Sequence, residues 1–283
     1  MYAWEIWNQA LDVLEQNIAN GKSWEGAART ACCSTYHFQR MFSYLAGLPL
    51  SEYIRRRKMT LAAFDLLEKG EKVIDVALKY GYQSPTAFTR AFQSVHGISP
   101  SEAKQTGAIL KAFPPIRFQI TIQGVFPMNY RIEQKPELHI LGIDTPLQQI
   151  IEQNFQTIPQ FWKTVSQNGF LSTLLSQKAT NQPVLGISDC RGENWRYWIG
   201  IFSEQDAAPP MSSFTLPPTT WAVFDGQGAM PEAIQALEKR IFTEWLPSSG
   251  YQYGNGVDIE VYHNADPANA IFEVWIPVVP KQP

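Results

Sequence analysis

The sequence predicts a multidomain chain. An all-α N-terminal domain holds two helix-turn-helix units, and an α+β C-terminal domain follows with two strand-helix-strand-strand repeats. Three observations carry this. The apolar residues keep a helical period up to about residue 107 and alternate as in strands after residue 128. One capped helix recurs fifty residues further on. The charge also divides: residues 1–112 hold 13 Lys and Arg against 10 Asp and Glu, whereas the rest holds 10 against 16. Domains are expected at 1–107 and 128–283, joined by a connection at 108–127 that contains Pro114-Pro115 and Pro127.

In the first half, Trp4, Trp7, Leu11, Leu14 and Ile18 form the apolar stripe of an amphipathic helix that Gly21 closes. Ser23 caps a short second helix with Trp24, Ala27 and Ala28. Ser34 caps a third, with Phe38, Phe42 and Leu45 inward and Gly47 as its stop. Leu50 to Lys69 reads as one long helix ended by Gly70, and Val73 to Tyr80 as a fifth with Gly81 beyond it. Ser84 then caps a sixth helix with Pro85 at its first position, Phe88, Phe92 and Val95 inward, and Gly97 after it.

Ser34, Phe38, Arg40, Phe42, Gly47, Ser51 and Glu52 match Ser84, Phe88, Arg90, Phe92, Gly97, Ser101 and Glu102 at a constant offset. Each copy is a short helix, a turn and a capped helix, which is the helix-turn-helix plan. Two such units on one connecting helix can set helices 35–46 and 85–96 into successive major grooves, about 34 Å apart. The outward residues are Tyr36, Gln39, Arg40 and Ser43 on one and Thr86, Thr89, Arg90 and Gln93 on the other. Arg pairs with guanine, Gln with adenine, and Thr meets the thymine methyl. Because Arg40 and Arg90 are equivalent while their neighbours differ, an asymmetric operator is expected. Arg55-Arg56-Arg57-Lys58 covers a whole helical turn, so its members cannot all face outward; the expectation is surface charge plus one stem packed on the core, with phosphate contact open to the others. His37 and His96 are expected to be exposed or to meet phosphate.

Residues 3–106 resemble the DNA-binding domain of the AraC/XylS family of transcriptional regulators. The resemblance rests on Ser34-Thr35-Tyr36-His37-Phe38-Gln39-Arg40-Met41-Phe42, on Tyr53-Ile54-Arg55-Arg56-Arg57-Lys58-Met59, and on Gly81-Tyr82 through Gly97-Ile98-Ser99-Pro100. It implies seven helices, with Tyr36, Gln39 and Arg40 reading one groove and Thr86, Thr89 and Arg90 the next. The chain departs from the family at Cys32, where a glycine is usual before the third helix, and at Ala103 and Lys104. A positive φ at Cys32 would cost energy.

In the connection, Ile116, Phe118, Ile120 and Ile122 alternate with polar residues, which suggests a short strand. Beyond it, segments 130–133 and 138–143 read as strands, and 148–168 as a helix interrupted near Pro159. Segments 184–188 and 195–202 read as a strand pair. A second cycle follows: strand 220–224, helix 231–245, strands 257–262 and 271–276. The two cycles can be related by a pseudo-twofold with a cleft between them. Within one strand Ile271, Glu273 and Trp275 share a face; in another, Asp258, Glu260 and Tyr262 do; Trp195 and Tyr197 share a third. A carboxylate flanked by aromatic rings suits a lipophilic cation, through charge, cation–π attraction and apolar burial.

Residues 127–280 resemble the GyrI-like effector-binding domain through Trp221-Ala222-Val223-Phe224, Glu244 to Tyr251, Asp258-Ile259-Glu260-Val261-Tyr262 and Phe272-Glu273-Val274-Trp275-Ile276-Pro277-Val278. The resemblance implies a small, cationic or lipophilic ligand held between the two repeats, with Glu273 as its carboxylate partner. Candidate ligand-binding residues are therefore Glu273, Trp275, Glu260, Tyr262, Trp195 and Tyr197.

These readings combine into a DNA-binding transcriptional regulator, taken as an activator, whose partners are double-stranded DNA, a small-molecule effector and RNA polymerase. No cofactor is expected. The four histidines and three cysteines lack metal-ligand spacing, so no metal is expected. No apolar run is long enough to span a membrane, and the N-terminus lacks a signal-peptide pattern, so a cytoplasmic protein is expected. An alternative makes the C-terminal domain a small-molecule hydrolase using Glu260 or Glu273 as general base. A methyl-accepting role for Cys190, beside Arg191, has no zinc-ligand cluster to support it.

Overall fold

In the first half the helices that follow Ser34, Ser84 and Ser99 have side-chain caps, whereas those that follow Trp24, Pro49 and Lys72 have none, so Ser23, expected as a cap, stands one residue ahead of the actual N-cap. In the computed structural model, which describes residues 3–105, 107–118, 127–177, 182–192, 194–205, 207–254, 256–264 and 266–281, the chain divides at residue 120 into two units. The first contains α1 (Ala3–Ala19), α2 (Glu25–Thr30), α3 (Thr35–Ala46), α4 (Leu50–Glu68), α5 (Val73–Lys79), α6 (Pro85–His96) and α7 (Pro100–Ala103). The Ser34 and Ser84 hydroxyls accept from the His37 and Ala87 backbone N–H groups, and Gly47 and Gly97 end the two helices at φ 67° and 84°. Cys32 turns the chain into α3 at φ 54°, so this cysteine does adopt the conformation that favours glycine, at a cost of roughly 1–2 kcal/mol.

Each helix-turn-helix unit has its own core. Leu11, Leu14, Phe38, Phe42 and Tyr53 are buried together in the first. Met59, Leu66, Val76, Tyr80, Phe88 and Phe92 are buried together in the second. The long α4 contributes to both, which explains why it carries apolar residues without a single clean stripe.

The four-residue basic run on α4 divides as its spacing requires. Arg57 is buried and ion-paired to Glu15 at 2.7 Å. The Lys58 ammonium donates to the Tyr80 carbonyl at 3.0 Å, closing the end of α5. Arg55 and Arg56 both pair with Glu52. Residues 108–118 form no strand, contrary to expectation for Ile116 and Phe118; Ile120 and Ile122 lie outside the described residues. The backbone groups of this stretch are satisfied by side chains of the helices instead.

The second unit is an antiparallel sheet with helices on one face. Its strands are β1 (Tyr130–Lys135), β2 (Leu138–Pro146), β3 (Val184–Asp189), β4 (Arg196–Phe202), β5 (Ser212–Leu216), β6 (Thr219–Gly228), β7 (Tyr251–Tyr253), β8 (Asp258–Tyr262) and β9 (Ala270–Pro280). They lie in the order β1-β6-β9-β8-β3-β4-β2-β5, with β7 on the far end of β9. Helices α8 (Ile151–Gln167) and α9 (Phe170–Gln177) follow β2, and α10 (Glu232–Arg240) follows β6 and runs into a π-helical turn, Ile241–Trp245. The sheet therefore meets at β8 and β3, one strand from each half. Helix α8 is not interrupted at Pro159. The proline and the Phe155 carbonyl it crowds lie on the exposed side, and the buried Ile151, Asn154 and Val165 anchor the helix on both sides of it. No helix among the described residues is long and apolar enough to cross a membrane.

Candidate functional site

Helices α3 and α6 share a plan but not an environment. On α6, Thr86, Arg90 and Gln93 are exposed and Thr89 is half-buried, so the predicted face is open. On α3, Gln39 and Arg40 are 3% and 8% exposed, and Tyr36 and Ser43 are half-buried, with the Ser43 hydroxyl oxygen itself covered. The expectation of an open α3 face is thus corrected. Part of the reason is local: the Arg40 guanidinium lies 5.9 Å from both the Tyr36 and Tyr44 rings, one turn to either side, and its Nε–H points to the Tyr44 hydroxyl at 3.4 Å.

His37 and His96 are likewise buried rather than exposed. The His96 Nε2 bonds the Met59 carbonyl at 3.1 Å, and its Nδ1 accepts the Lys111 N–H at 3.2 Å, an arrangement that a neutral ring satisfies with one proton. Burial, then the Lys111 charge, lowers its pKa below 6.5; burial, then Arg40, lowers that of His37 well below the same value. An unfolded chain therefore binds more protons than the folded one in the window just below 6.5. This contribution to stability is complete above that pH and is lost as pH falls through it. Urea midpoints followed by helical circular dichroism should drop between about pH 7.5 and about pH 5.5, where carboxylates stay ionised. A midpoint that is flat or rises toward acid would contradict the buried neutral rings.

In the second unit the sheet separates the ligand candidates into two groups. Glu260 on β8 stands opposite Gly186 on β3, on the face that carries the helices. Its Oε2 accepts the Tyr197 and Tyr262 hydroxyls, each at 2.8 Å. Trp162 of α8 completes the group: its indole N–H donates to the Tyr197 oxygen at 2.9 Å, and its ring meets the Tyr262 ring edge-on at 5.4 Å.

Gly186 is the floor of this group. A Cβ there would stand 2.2 Å from the Tyr197 oxygen and 2.6 Å from Glu260 Oε2. Burial first, and Glu260 next, raise the pKa of both tyrosines well above 10, and the charge of Glu238 on α10 adds to this. Both phenols therefore stay protonated donors to a carboxylate in an acidic, aromatic setting. Trp162 and Glu238 were not singled out by sequence reasoning. A helical tryptophan on an apolar face and a helical glutamate have no local signature; only the packing of α8 and α10 on the sheet brings them near the tyrosines that bond Glu260.

Glu273 and Trp275 lie on the opposite face. There Trp198, Trp221 and Trp275 belong to a buried apolar cluster, and the Phe202 and Trp275 rings stack at 6.0 Å across the curl of the sheet. Glu273 is already engaged. It accepts the Trp275 indole N–H at 2.6 Å and an Arg131 N–H at 2.9 Å, with His263 at 3.4 Å. Burial opposes its ionisation, but the Trp275 and Arg131 bonds outweigh this and hold its pKa below the usual value. The six candidates thus do not form one constellation: Glu260, Tyr262 and Tyr197 meet, and Glu273 and Trp275 stand apart from them. Trp195 is buried beside β4, with its N–H on the Gly192 carbonyl at 3.2 Å. Cys190 is buried, and no cluster of three or more metal-ligating side chains occurs among the described residues.

Two helix-turn-helix units on a shared helix, followed by an α+β unit with an acidic aromatic site, define a helix-turn-helix regulator carrying a fused effector-binding domain. Residues 27–106 match the helix-turn-helix domain family, and residues 131–278 match the family of integron-associated effector binding proteins. The helix-turn-helix part is 40% identical over 96 residues to the HTH-type transcriptional activator AarP of Providencia stuartii, covering 34% of this chain and 71% of that protein. It is 35% identical over 96 residues to the multiple antibiotic resistance protein MarA of Escherichia coli K12, covering 34% and 76%.

Among solved structures, SAV2435 bound to tetraphenylphosphonium shares 22% identity with a TM-score of 0.46, covering 54% of this chain and 94% of that one. The integron cassette protein VCH_CASS2 of Vibrio cholerae shares 15% with a TM-score of 0.41, covering 53% and 95%. The chain belongs to the AraC family of DNA-binding transcription regulators, and its second unit is a GyrI-like effector-binding domain.

Proposed function

We propose that the protein is a transcriptional activator that reads two successive major grooves with α3 and α6 and holds a lipophilic cation beside Glu260. The observation that carries the effector half is the Glu260 carboxylate, bound by two tyrosine hydroxyls beneath a tryptophan and over a glycine. Ring faces supply cation–π attraction, and the carboxylate supplies the counter-charge. The open α6 face, with Thr86, Thr89, Arg90 and Gln93, supports base reading. For α3 the base-reading candidates are Tyr36, Gln39, Arg40 and Ser43, and Gln39 and Arg40, at 3% and 8% exposed, have to become exposed before they reach a base edge. The AarP name supports activation, and RNA polymerase is then the partner at the promoter.

The test uses a duplex selected by the protein from a random-sequence pool and placed upstream of a minimal promoter. Transcription by purified polymerase should rise on adding the protein. Binding of the duplex should weaken steeply with salt, as phosphate contacts demand. Salt-independent binding, or no change in transcript, would sink this reading. The hydrolase alternative has one point in favour, a tyrosine hydroxyl on a carboxylate at 2.8 Å. Recovery of the cation unchanged after prolonged incubation would remove it.

A further inference from the structure

Residues 108–118 are a connection by sequence, yet they lie along the first unit as a strap with an anchor at every second or third residue. In order, the Lys111 N–H donates to His96 Nδ1 on α6 at 3.2 Å. The Phe113 N–H donates to the Thr60 hydroxyl on α4 at 3.1 Å, and its carbonyl accepts from Arg57. The Ile116 N–H donates to the Tyr53 hydroxyl, nearer the start of α4, at 3.1 Å. Phe118 closes the run with two bonds to the Asn8 amide on α1, both 3.0 Å. Between them Arg117 pairs with Asp12 of α1 at 2.7 Å.

The apolar side chains follow the same path. Leu110 and Phe113 pack on the core of the second helix-turn-helix unit, and Ile116 and Phe118 on that of the first. The Phe118 ring meets Trp7 and Phe42 edge-on at 6.5 and 6.2 Å. The strap thus starts on the second reading helix and ends on the core that supports the first.

We infer that this strap is a positioning element of the DNA-reading unit: it fixes the angle between the two helix-turn-helix units, which otherwise meet through α4 and where Gly21, just after α1, approaches the Lys79 carbonyl at the end of α5. One helix and one close backbone approach between two small cores still leave room to bend and twist. A further connection, bonded to α6, α4 and α1, removes that freedom. Two reading heads then meet their half-sites as one rigid body, and the second contact forms at high effective concentration.

The test is made on the full chain. Spin labels go on the exposed Cys32, before α3, and on Ala87→Cys, exposed on α6 and outside the proposed base-reading set, with Cys33→Ala; Cys190 is buried. Double electron–electron resonance should give one narrow distance in this parent. Asn8→Ala with Tyr53→Phe and Thr60→Val removes three anchors, and the distance should broaden and shift while the helical circular dichroism stays. Pro114→Gly with Pro115→Gly, at two exposed positions, loosens the strap with every anchor kept, and should broaden the distance less. On the selected duplex, both variants should lose about tenfold in affinity for paired half-sites and nothing for a duplex with one half scrambled.

The DNA arm rests on the two-groove reading, whereas the distance arm does not. Equal loss on paired and single half-sites, with a broadened distance, would therefore count against two-groove reading and leave the strap. An unchanged narrow distance in both folded variants overturns the strap itself. Should the triple variant unfold, the glycine variant decides alone.

Discussion

Arg57→Ala should destabilise the DNA-binding unit by about 3–5 kcal/mol, a large share of what a domain of this size commonly has. The Arg57 side chain is 7% exposed and that of Glu15 18%. Its Nε reaches both Glu15 oxygens at 3.0 and 2.9 Å, its Nη2 reaches Oε2 at 2.7 Å, and its Nη1 donates to the Phe113 carbonyl. Tyr53 donates to the same Glu15 at 2.6 Å. Removing the guanidinium leaves a largely buried carboxylate with the tyrosine in place of a fork, and strands a carbonyl of the strap. Arg57→Lys keeps the charge but not the planar fork and should lose less. Arg57→Met with Glu15→Leu removes both charges and should recover most of the loss. Urea unfolding at 222 nm measures all three; a loss below about 1 kcal/mol for Arg57→Ala would contradict the buried pair.

The second large effect is on the ligand. Tetraphenylphosphonium, a lipophilic cation with no hydrogen-bonding group, is the direct probe, read by quenching of tryptophan fluorescence because Trp162 borders Glu260 through Tyr197. Glu260→Gln is nearly isosteric and can still accept from Tyr197 and Tyr262, so it removes charge more than shape. Losing one partner of a desolvated charge pair costs about 2–5 kcal/mol, so the affinity should fall at least about thirtyfold. Glu273→Gln should leave the affinity within about twofold, since that carboxylate already faces Arg131 and lies on the other face of the sheet. Equal affinity of wild type and Glu260→Gln, or loss in Glu273→Gln alone, would place the cation on the opposite face.

The contrast between these two glutamates shows how far the sequence carries. Local chemistry was legible: Ser34, Ser84, Gly47 and Gly97 bound their helices because caps act within one turn. The period-2 strands and the sharing of faces along each strand were legible for the same reason. Which faces meet was not. Glu260 and Glu273 look alike in sequence, each in a strand with an aromatic residue two positions on, and only the register against Gly186 and Arg131 separates them.

Strands β5 and β7 and helix α9 were missed because they are short and weakly patterned, and they gain their backbone partners from strands and helices already placed. The strap was unreadable for a related reason. Its anchors join backbone groups to polar side chains up to 110 positions away, and such bonds leave no periodicity. The closed face of α3 was likewise unreadable: Gln39 and Arg40 sit at outward positions by the helix's own period, yet they are 3% and 8% exposed.

Hydroxyl-radical footprinting of the selected duplex tests most directly whether one chain carries two reading heads. Wild type should protect two segments about one helical turn apart on one side of the duplex. Arg90→Ala should erase one segment and keep the other, and Arg40→Ala should do the converse, each at a cost of about 1–3 kcal/mol in affinity. A single protected segment, or loss of the same segment in both variants, would contradict the paired reading head.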